Sequence, residues 1–119
     1  MFRTEATRQQ MKEYVANHPD LGNPFFDWKE RLVKEFDLWM IIENKFPYDL
    51  VAEVSHLLIP KRMFSHYEDM DQAEEEELFR IKQTIAHDYH SILENFHPNR
   101  SITDHFHFHL LKVRPEYYG

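Results

Sequence analysis

The chain has 119 residues, of which 42% are hydrophobic and 15% aromatic, a composition that predicts one compact domain with a substantial core. Its formal charge of −7, from 21 acidic and 14 basic residues, argues against nonspecific binding to a nucleic-acid backbone, which requires a basic patch. The absence of cysteine excludes disulfides and thiolate metal sites, and two glycines are too few for a Gly-rich phosphate cradle.

The sequence contains no signal that would send the chain to or through a membrane. There is no apolar run of about eighteen residues. The first residues, MFRTEATRQQ, lack the basic start and apolar stretch of a secretory signal. We therefore expect a cytoplasmic protein that does not act at a membrane.

The N-terminal third of the chain is predicted to be helical. Residues 4–17 read as a polar helix, and a run of helix breakers over 17–24 ends it. A second helix is predicted over 26–36, because apolar residues recur there on one helical face (Trp28, Leu32, Val33 and Phe36). We assign residues 1–35 to a helical extension that packs on a main domain of residues 36–119, the two forming one globular unit.

Two strands are predicted to follow. Residues 38–42 form an apolar run that is too short for a helix and rich in residues that favour strands. A turn over 44–49 leads to a second strand over 54–60, where Pro60 marks the strand end or a sheet edge. Because the connection is short, we expect the two strands to be antiparallel.

A long helix is predicted over residues 71–95. Apolar residues recur there at steps of three or four (Leu78, Ile81, Ile85, Tyr89, Ile92 and Phe96). Four consecutive glutamates, residues 74–77, stand near its start, where negative charge complements the helix dipole. The simplest interpretation of this acidic run is a solvated, well-capped helix start.

The most informative segment is HFHFHLL, residues 105–111, which follows a polar loop over 95–104. Side chains two apart on a strand share one face, so the three histidines are predicted to form a row and the phenylalanines to enter the core. Such a row indicates phosphoryl, proton or metal chemistry on an open face. The order of elements predicts an α+β domain whose helices cover one side of a mostly antiparallel sheet.

This segment resembles the signature of the histidine triad (HIT) superfamily, His-φ-His-φ-His-φ-φ, at each of its seven positions. Upstream, WMIIENKFP (39–47) resembles the strand and Asn-x-x-Pro turn of that family, and SHLLIPKR (55–62) resembles its His-x-Leu-φ-φ-Pro-Lys-Arg strand. The resemblance covers residues 36–113. It implies a HIT-like fold, often a homodimer, and enzymes that cleave or transfer at the α-phosphate of nucleotide conjugates.

The resemblance also implies roles for individual residues. His107 would be the nucleophile that forms a covalent nucleotidyl-histidine intermediate, which water or another acceptor resolves. His109 would contact the phosphoryl oxygens, and His105 would support the hydrogen-bond network. Asn44 is similar to the residue that meets the ribose, and His56 to a histidine that supports the triad from behind. No cofactor and no metal are required for this reaction.

The segment before the triad departs from the family pattern. Many HIT enzymes have Gly-Gln-Ser or Gly-Gln-Thr there, whereas this chain has NRSITD, residues 99–104, without the glutamine. Ser101 and Thr103 could supply hydroxyl donors and Arg100 a charge, a layout nearer to the aprataxin-like branch. Asn95 resembles an asparagine at the end of the long helix in the nucleoside phosphoramidase branch. We expect a small nucleotide or nucleotide conjugate as ligand, bound through Asn44, Asn95, Ser101 and Thr103.

Two other functions stay open on the sequence alone. The chain could be a non-catalytic nucleotide-binding module that keeps the fold and the pocket. It could also be a histidine-rich metal-binding protein, in which two of the three triad histidines share an ion and Asp104, His97 or His66 completes the set.

Overall fold

The fold is built around one antiparallel sheet. The computed structural model describes residues 2–18, 25–100 and 102–117, with Asn99 described by its backbone alone. Its helices are α1 (Glu5–Asn17), α2 (Trp28–Arg31) and α3 (Gln72–Ile85). Its strands are β1 (Leu32–Glu35), β2 (Trp39–Glu43), β3 (Ala52–Pro60), β4 (Ser91–Leu93) and β5 (Phe108–Val113). Short 3-10 helices span Tyr67–Asp69, His97–Asn99 and Pro115–Tyr117.

The five strands are ordered β1-β2-β3-β5-β4, and each neighbouring pair is antiparallel. This arrangement confirms the predicted α+β class. It also confirms the two predicted strands and their direction, since β2 and β3 pair from Trp39 with Pro60 to Glu43 with His56. No helix in the described ranges has the length and apolar character needed to cross a bilayer.

The two faces of the sheet have different coverings. Helix α3 packs on one face, where Leu78, Ile81 and Ile85 join a buried cluster with Phe108 and Leu110 of β5. On the other face, Phe25 packs with residues of β2 and β3 (Met40, Ile42, Leu57 and Ile59). Tyr48 forms a third cluster there with Ala52 and Leu111. Alternate residues of β5 therefore enter different cores.

The first predicted helix is present as α1 and is tied to the turn after β2. Thr4 is its N-cap, and the Thr4 hydroxyl donates to Asp49 Oδ2 at 3.0 Å. The hydroxyl of Thr7 also donates to Asp49 Oδ2. This pairing docks the N-terminal segment beside Tyr48.

The second predicted helix is wrong over most of its length. Helix α2 has four residues, and the chain then continues as β1, which pairs with β2 from Leu32 to Glu35. Leu32 and Val33, which the helical pattern assigned to a buried face, are exposed on this edge strand. Hydrogen bonding to the edge of β2 outweighs the weak helical period of a short segment. The sheet therefore begins inside the segment assigned to the helical extension.

The long helix also ends earlier than predicted. Helix α3 stops at Ile85, so Tyr89, Ile92 and Phe96 lie beyond it. The chain turns and returns as β4, in which Ile92 pairs with Leu110 of β5. Apolar residues spaced three or four apart fit a helix, but a short run of them also fits a strand. Here the free edge of β5 offers hydrogen-bond partners, and the segment forms a strand.

The acidic start of α3 is only partly solvated. The start is well capped, as expected, because Asp71 caps the helix in a capping box with Glu74. Glu74 and Glu77, however, are buried. Glu74 pairs with Arg62 at 2.7 Å, and Glu77 Oε1 accepts hydrogen bonds from the backbone N–H groups of Leu38 at 2.8 Å and Trp39 at 3.1 Å. Glu77 thus joins α3 to the start of β2.

We expect Glu77→Ala to lower the free energy of unfolding by about 2–4 kcal/mol, because two backbone N–H groups lose their acceptor in a largely buried place. Urea unfolding followed by tryptophan fluorescence measures this. Glu76→Ala, at the exposed neighbouring position, is the control and should change stability by less than about 0.5 kcal/mol. Equal effects of the two substitutions would contradict the assignment.

Candidate functional site

The three histidines lie side by side on the face of the sheet opposite α3. Strand β5 begins at Phe108, so the predicted strand is wrong for residues 105–107. The predicted alternation nevertheless holds, because Phe106 and Phe108 enter the α3 core while the histidines point to the other face. The backbone N–H of Phe106 donates a hydrogen bond to the backbone carbonyl oxygen of Phe64 at 2.6 Å, outside the regular hydrogen bonding of the sheet. The row is therefore formed by a strand and the irregular segment before it.

The histidine face is buried, which corrects the expectation of an open one. His105, His107 and His109 are each 3% exposed. The ring of Phe25 stands edge-on to the rings of His105 and His107, with centroids 5.0 and 5.8 Å away. Tyr48 stacks on His109 with centroids 4.2 Å apart. Phe25 and Tyr48 cover the row because a neutral imidazole packs against aromatic rings as a partly apolar surface.

The tautomer of His107 follows from its backbone partner. Nδ1 of His107 lies 2.9 Å from the carbonyl oxygen of His105. Because a carbonyl can only accept, Nδ1 must carry the hydrogen, and Nε2 keeps its lone pair. Burial lowers the pKa of His107 to about 4, although the hydrogen bond to His105 opposes this change. His107 is therefore a neutral imidazole at pH 7, with an unprotonated Nε2.

His105 is held by the end of β3. Its Nε2 lies 2.9 Å from the carbonyl oxygen of Pro60 and donates to it by the same reasoning. Burial lowers the pKa of His105 below its ordinary value, and this hydrogen bond opposes that change. His105 thus fixes the loop before β5 through its ring and orients His107 through its carbonyl group.

His109 belongs to a chain of side-chain hydrogen bonds. Its Nε2 lies 3.0 Å from the hydroxyl of Tyr48, which accepts a hydrogen bond from Asn95 Nδ2 at 3.0 Å. Burial, followed by the influence of His107 and Arg3, lowers the pKa of His109 to about 3. The guanidinium of Arg3 lies over the Tyr48 ring, 4.7 Å from its centroid. The N-terminal segment therefore brings a positive charge to this end of the row.

Unpartnered polar atoms concentrate in this region. Among the described residues, four buried side-chain nitrogen or oxygen atoms have no hydrogen-bond partner: Nδ1 of His105, Nδ1 of His109, and Nε and Nη1 of Arg100. Buried polar atoms in native proteins are nearly always satisfied, and exceptions are characteristic of functional sites and of ion or water positions. In the part of the chain that the structure describes, the unpartnered atoms thus lie in the histidine row and on Arg100.

His56 does not support the triad. It pairs with Leu110, whose side chain lies in the α3 core, so His56 is on the opposite face of the sheet from the histidine row. Its Nδ1 lies 2.7 Å from the hydroxyl of Tyr89. The residue that precedes it, Ser55, has the opposite orientation, and its hydroxyl accepts from the backbone of Tyr48 at 3.0 Å. The predicted role of His56 is therefore wrong, because side chains alternate between the two faces along β3 and that of His56 lies on the face away from the histidine row.

The predicted nucleotide-binding residues have different positions. Asn95 joins the site through Tyr48, as described above. Asn44 accepts from the backbone N–H of Phe46 at 3.1 Å and shapes the turn after β2. Thr103 is exposed, and its hydroxyl contacts the neighbouring Asp104 at 3.4 Å rather than a triad histidine. Ser101 lies outside the described residues.

The geometry of the row does not favour a metal ion. No group of three or more His, Asp or Glu side chains in residues 2–18, 25–100 and 102–117 is placed to hold one. Nδ1 of His107 and Nε2 of His105 are already bonded to backbone carbonyls. The suggested extra ligands His66 and His97 stack on each other with centroids 4.5 Å apart.

Comparison of the chain with protein-family models and with curated proteins finds no match. The similarity to the histidine triad superfamily therefore rests on the motifs quoted above.

Sequence reasoning did not place three contributors to the site, which are Arg3, Phe25 and Tyr48. Nothing in the local spacing of Phe25 and Tyr48 places them beside the histidines. Arg3 comes from a segment that the motifs do not include. Arg100 was noted for its charge, but its burial depends on packing against Phe106, which lies on the other side of the sheet from the histidines. These contacts join distant parts of the chain, and no local pattern encodes them.

The neutral histidines predict a specific dependence of stability on pH. Folding lowers the pKa values of His107 and His109 from 6.5 to about 4 and about 3, so between these values the unfolded chain binds more protons than the folded chain. Their stabilising contribution is complete above pH 6.5 and decreases as the pH falls below that value. Through this effect, each of the two histidines should lower the free energy of unfolding by about 2 kcal/mol when the pH falls from 7 to 5.

Urea unfolding at pH 7 and pH 5 measures this loss in the wild type, His109→Gln and His87→Gln. His109→Gln should reduce the difference between the two pH values by about 2 kcal/mol, because one titrating group has been removed. His87 is exposed, so its substitution should leave the difference unchanged. The same pH difference in all three proteins would show that His109 does not titrate as described.

Proposed function

We propose that the protein is a nucleotide hydrolase or nucleotidyl transferase that attacks the α-phosphate of a nucleotide conjugate with Nε2 of His107. The observation that supports this most is the hydrogen bond from His107 Nδ1 to the His105 carbonyl group, at 2.9 Å. It holds the lone pair on Nε2 and orients the ring. This activity, a HIT-like fold and a homodimer are the features that the motif resemblance implies, and a cytoplasmic location is the expectation drawn from the sequence as a whole.

The reaction has two steps. The lone pair of Nε2 attacks phosphorus, a P–N bond forms, and the bond from phosphorus to the leaving group breaks with its electron pair. The His105 carbonyl group stabilises the positive charge that the ring gains, because Nδ1 keeps its hydrogen. Water or another acceptor then attacks phosphorus, the P–N electrons return to Nε2, and the proton of the acceptor leaves with solvent.

His109 and its partners suit the phosphoryl oxygens. The unpartnered Nδ1 of His109 is a buried polar atom that a ligand oxygen or water would satisfy. Asn95 and Tyr48 fix the ring from the Nε2 side. Preorganised groups of this kind stabilise charge that develops during the reaction, since they need not reorient.

The burial of His107 favours a second candidate function, a non-catalytic nucleotide-binding module. In the described structure the ring is 3% exposed and Phe25 is one of the side chains packed against it, so a phosphoryl group reaches the ring only when covering side chains move away. If that movement is too rare, a ligand could bind at the edge of the site without turnover. No observation favours the metal-binding alternative.

Release of AMP tests the proposed function. We expect the wild type to release AMP from an adenosine phosphoramidate or a dinucleoside polyphosphate. His107→Asn should reduce the rate by about a thousandfold or more, because the nucleophile is lost. His87→Asn, at an exposed position, is the matched control. Mass spectrometry of a quenched reaction should find one nucleotidyl group on His107, and saturable AMP binding without release would support the module instead.

We expect Phe25→Ala to make His107 accessible. Diethyl pyrocarbonate modifies neutral imidazoles that it can reach, so peptide mass spectrometry should show His107 modified at least about tenfold faster in this variant. Phe25→Leu should give an intermediate rate, and Phe26→Ala, which alters the exposed neighbour, should have no effect. Because Phe25→Ala removes a buried ring and costs about 3–5 kcal/mol, circular dichroism must accompany the measurement. Rapid modification of His107 in the wild type would show that Phe25 does not control access.

A further inference from the structure

Residues 25–31 form a cover segment over two of the three histidines. Its first residue, Phe25, is 1% exposed, and its ring stands edge-on to the rings of His105 and His107. A turn follows, in which the backbone N–H of Trp28 donates to the carbonyl oxygen of Phe25 at 3.0 Å, and then helix α2. A helix of four residues gains little stability from its own hydrogen bonds, so contacts with the rest of the chain hold this segment in place.

The side chain of Asp27 joins the cover segment to the end of β2. Its Oδ2 lies 2.6 Å from Nζ of Lys45, which belongs to the turn after β2. Its Oδ1 accepts a hydrogen bond from Nε of Arg31 at 3.1 Å. Nη1 of Arg31 in turn donates to the backbone carbonyl oxygen of Glu43, the last residue of β2, at 3.1 Å. Asp27 is therefore connected to this end of the sheet directly through Lys45 and indirectly through Arg31.

The two cations that pair with Asp27 both lie against aromatic rings. The guanidinium carbon of Arg31 lies over the ring of Phe25, 5.9 Å from its centroid. Nζ of Lys45 donates to the hydroxyl of Tyr14 in α1 at 3.1 Å and lies 4.3 Å from the centroid of that ring. Arg31 therefore connects the carboxylate of Asp27 to the ring that covers the histidines.

These ion pairs are partly shielded from water. The side chains of Asp27 and Arg31 are each 11% exposed, and that of Lys45 is 30% exposed. Charge-assisted hydrogen bonds at such positions are stronger than those of fully exposed pairs. Asp27 is also the N-cap residue of α2, but its side chain makes no capping hydrogen bond within residues 25–31. Its ion pairs are therefore its main contribution to the cover segment.

Apolar packing also holds Phe25, because its ring joins a buried cluster with Met40 and Ile42 of β2. Such packing is not directional, so a ring can shift among apolar neighbours. Ion pairs with fixed partners instead restrict the backbone that carries the ring. Loss of the ion pairs alone should therefore loosen the cover segment without unfolding the sheet.

We propose that Asp27 is a positioning residue of the histidine site, which through its ion pairs holds Phe25 over the row. When these pairs are released, the two rings beneath Phe25 become accessible. His109 stays covered, because Tyr48 stacks on it from a different segment. This inference rests on the proposed function only in what it implies for turnover, since access to the row is measured without catalysis.

The experiment compares how fast diethyl pyrocarbonate modifies each histidine of the row in the wild type and in Asp27→Asn, by peptide mass spectrometry. The asparagine keeps the size of the side chain and removes its charge. Modification of His105 and His107 should be about fivefold faster or more in the variant, since charged hydrogen bonds are lost. Modification of His109 should change by less than about twofold. Equal acceleration at all three histidines, or none at His107, would overturn the proposal.

Two variants test whether the charge of Asp27 is responsible. Glu30→Gln removes the same charge from an exposed position of α2 and should leave all three rates unchanged. Asp27→Glu keeps the carboxylate and should modify at rates within about twofold of the wild type. Acceleration at His107 in Glu30→Gln as large as that in Asp27→Asn would overturn the proposal.

A double variant tests the pairing of Asp27 with Lys45. Adding Lys45→Gln to Asp27→Asn should increase the rate at His107 little further, because the ion pair is already lost. Multiplication of the two single effects would show that the residues act separately and would overturn the role of this ion pair.

Release of AMP distinguishes the failure of this proposal from that of the proposed function. If both hold, Asp27→Asn should lower KM by about the factor by which it accelerates modification of His107 and leave kcat unchanged, because only the fraction of accessible molecules changes. If no variant releases AMP while the modification rates follow the expected pattern, the proposed function is overturned and the role of Asp27 stands. Equal KM values in an active wild type and an active Asp27→Asn would overturn the role of Asp27.

Discussion

The segment from His105 to Leu110 is buried on both sides, and this constraint determines the chemistry of the molecule. On one side, phenylalanine and leucine fill the α3 core. On the other side three imidazoles take the places where a purely structural strand would have aliphatic residues. An imidazolium ion could not be buried there at acceptable cost, so the rings are neutral. Each neutral ring then has one donor and one acceptor nitrogen, and backbone carbonyls decide which is which for His105 and His107.

The unpartnered polar atoms lower the stability of the folded protein. Replacing a buried unpaired polar group by an apolar one of the same shape is usually neutral or stabilising. A sequence selected for stability alone would therefore not keep two unpartnered imidazole nitrogens and a largely unpartnered guanidinium. The two imidazole nitrogens lie in the histidine row, and this observation, which is independent of any family resemblance, supports the proposal of a ligand site there.

Much of the fold could be predicted from the sequence where one pattern dominates. The apolar runs of β2 and β3 and the polar helix α1 have no strong competing interpretation, and the structure contains all three. Prediction failed where a free sheet edge competes with a helical period, which is why Leu32–Glu35 became β1 and Ser91–Leu93 became β4. Propensity over so few residues is a weak determinant, and hydrogen bonding to an existing strand outweighs it.

The shared face of the three histidines could be predicted from their spacing along one segment, whereas the contacts made from other strands and segments could not. Alternation placed the histidines on a common face, but the same rule applied to β3 shows that His56 belongs to the other face. That the histidine row is covered could not be read from local spacing. Phe25, Tyr48 and Arg3 come from three separate segments, and their positions depend on how the N-terminal part of the chain docks on the sheet.

Reactivity and access oppose each other at His107. The packing that keeps the imidazole neutral and oriented also places Phe25 over it, and burying a phenylalanine ring is worth about 1.5–3 kcal/mol. A conformation with this ring displaced would then be populated at about 1–10%, and the apparent affinity of a ligand would fall by the same factor of about 10 to 100.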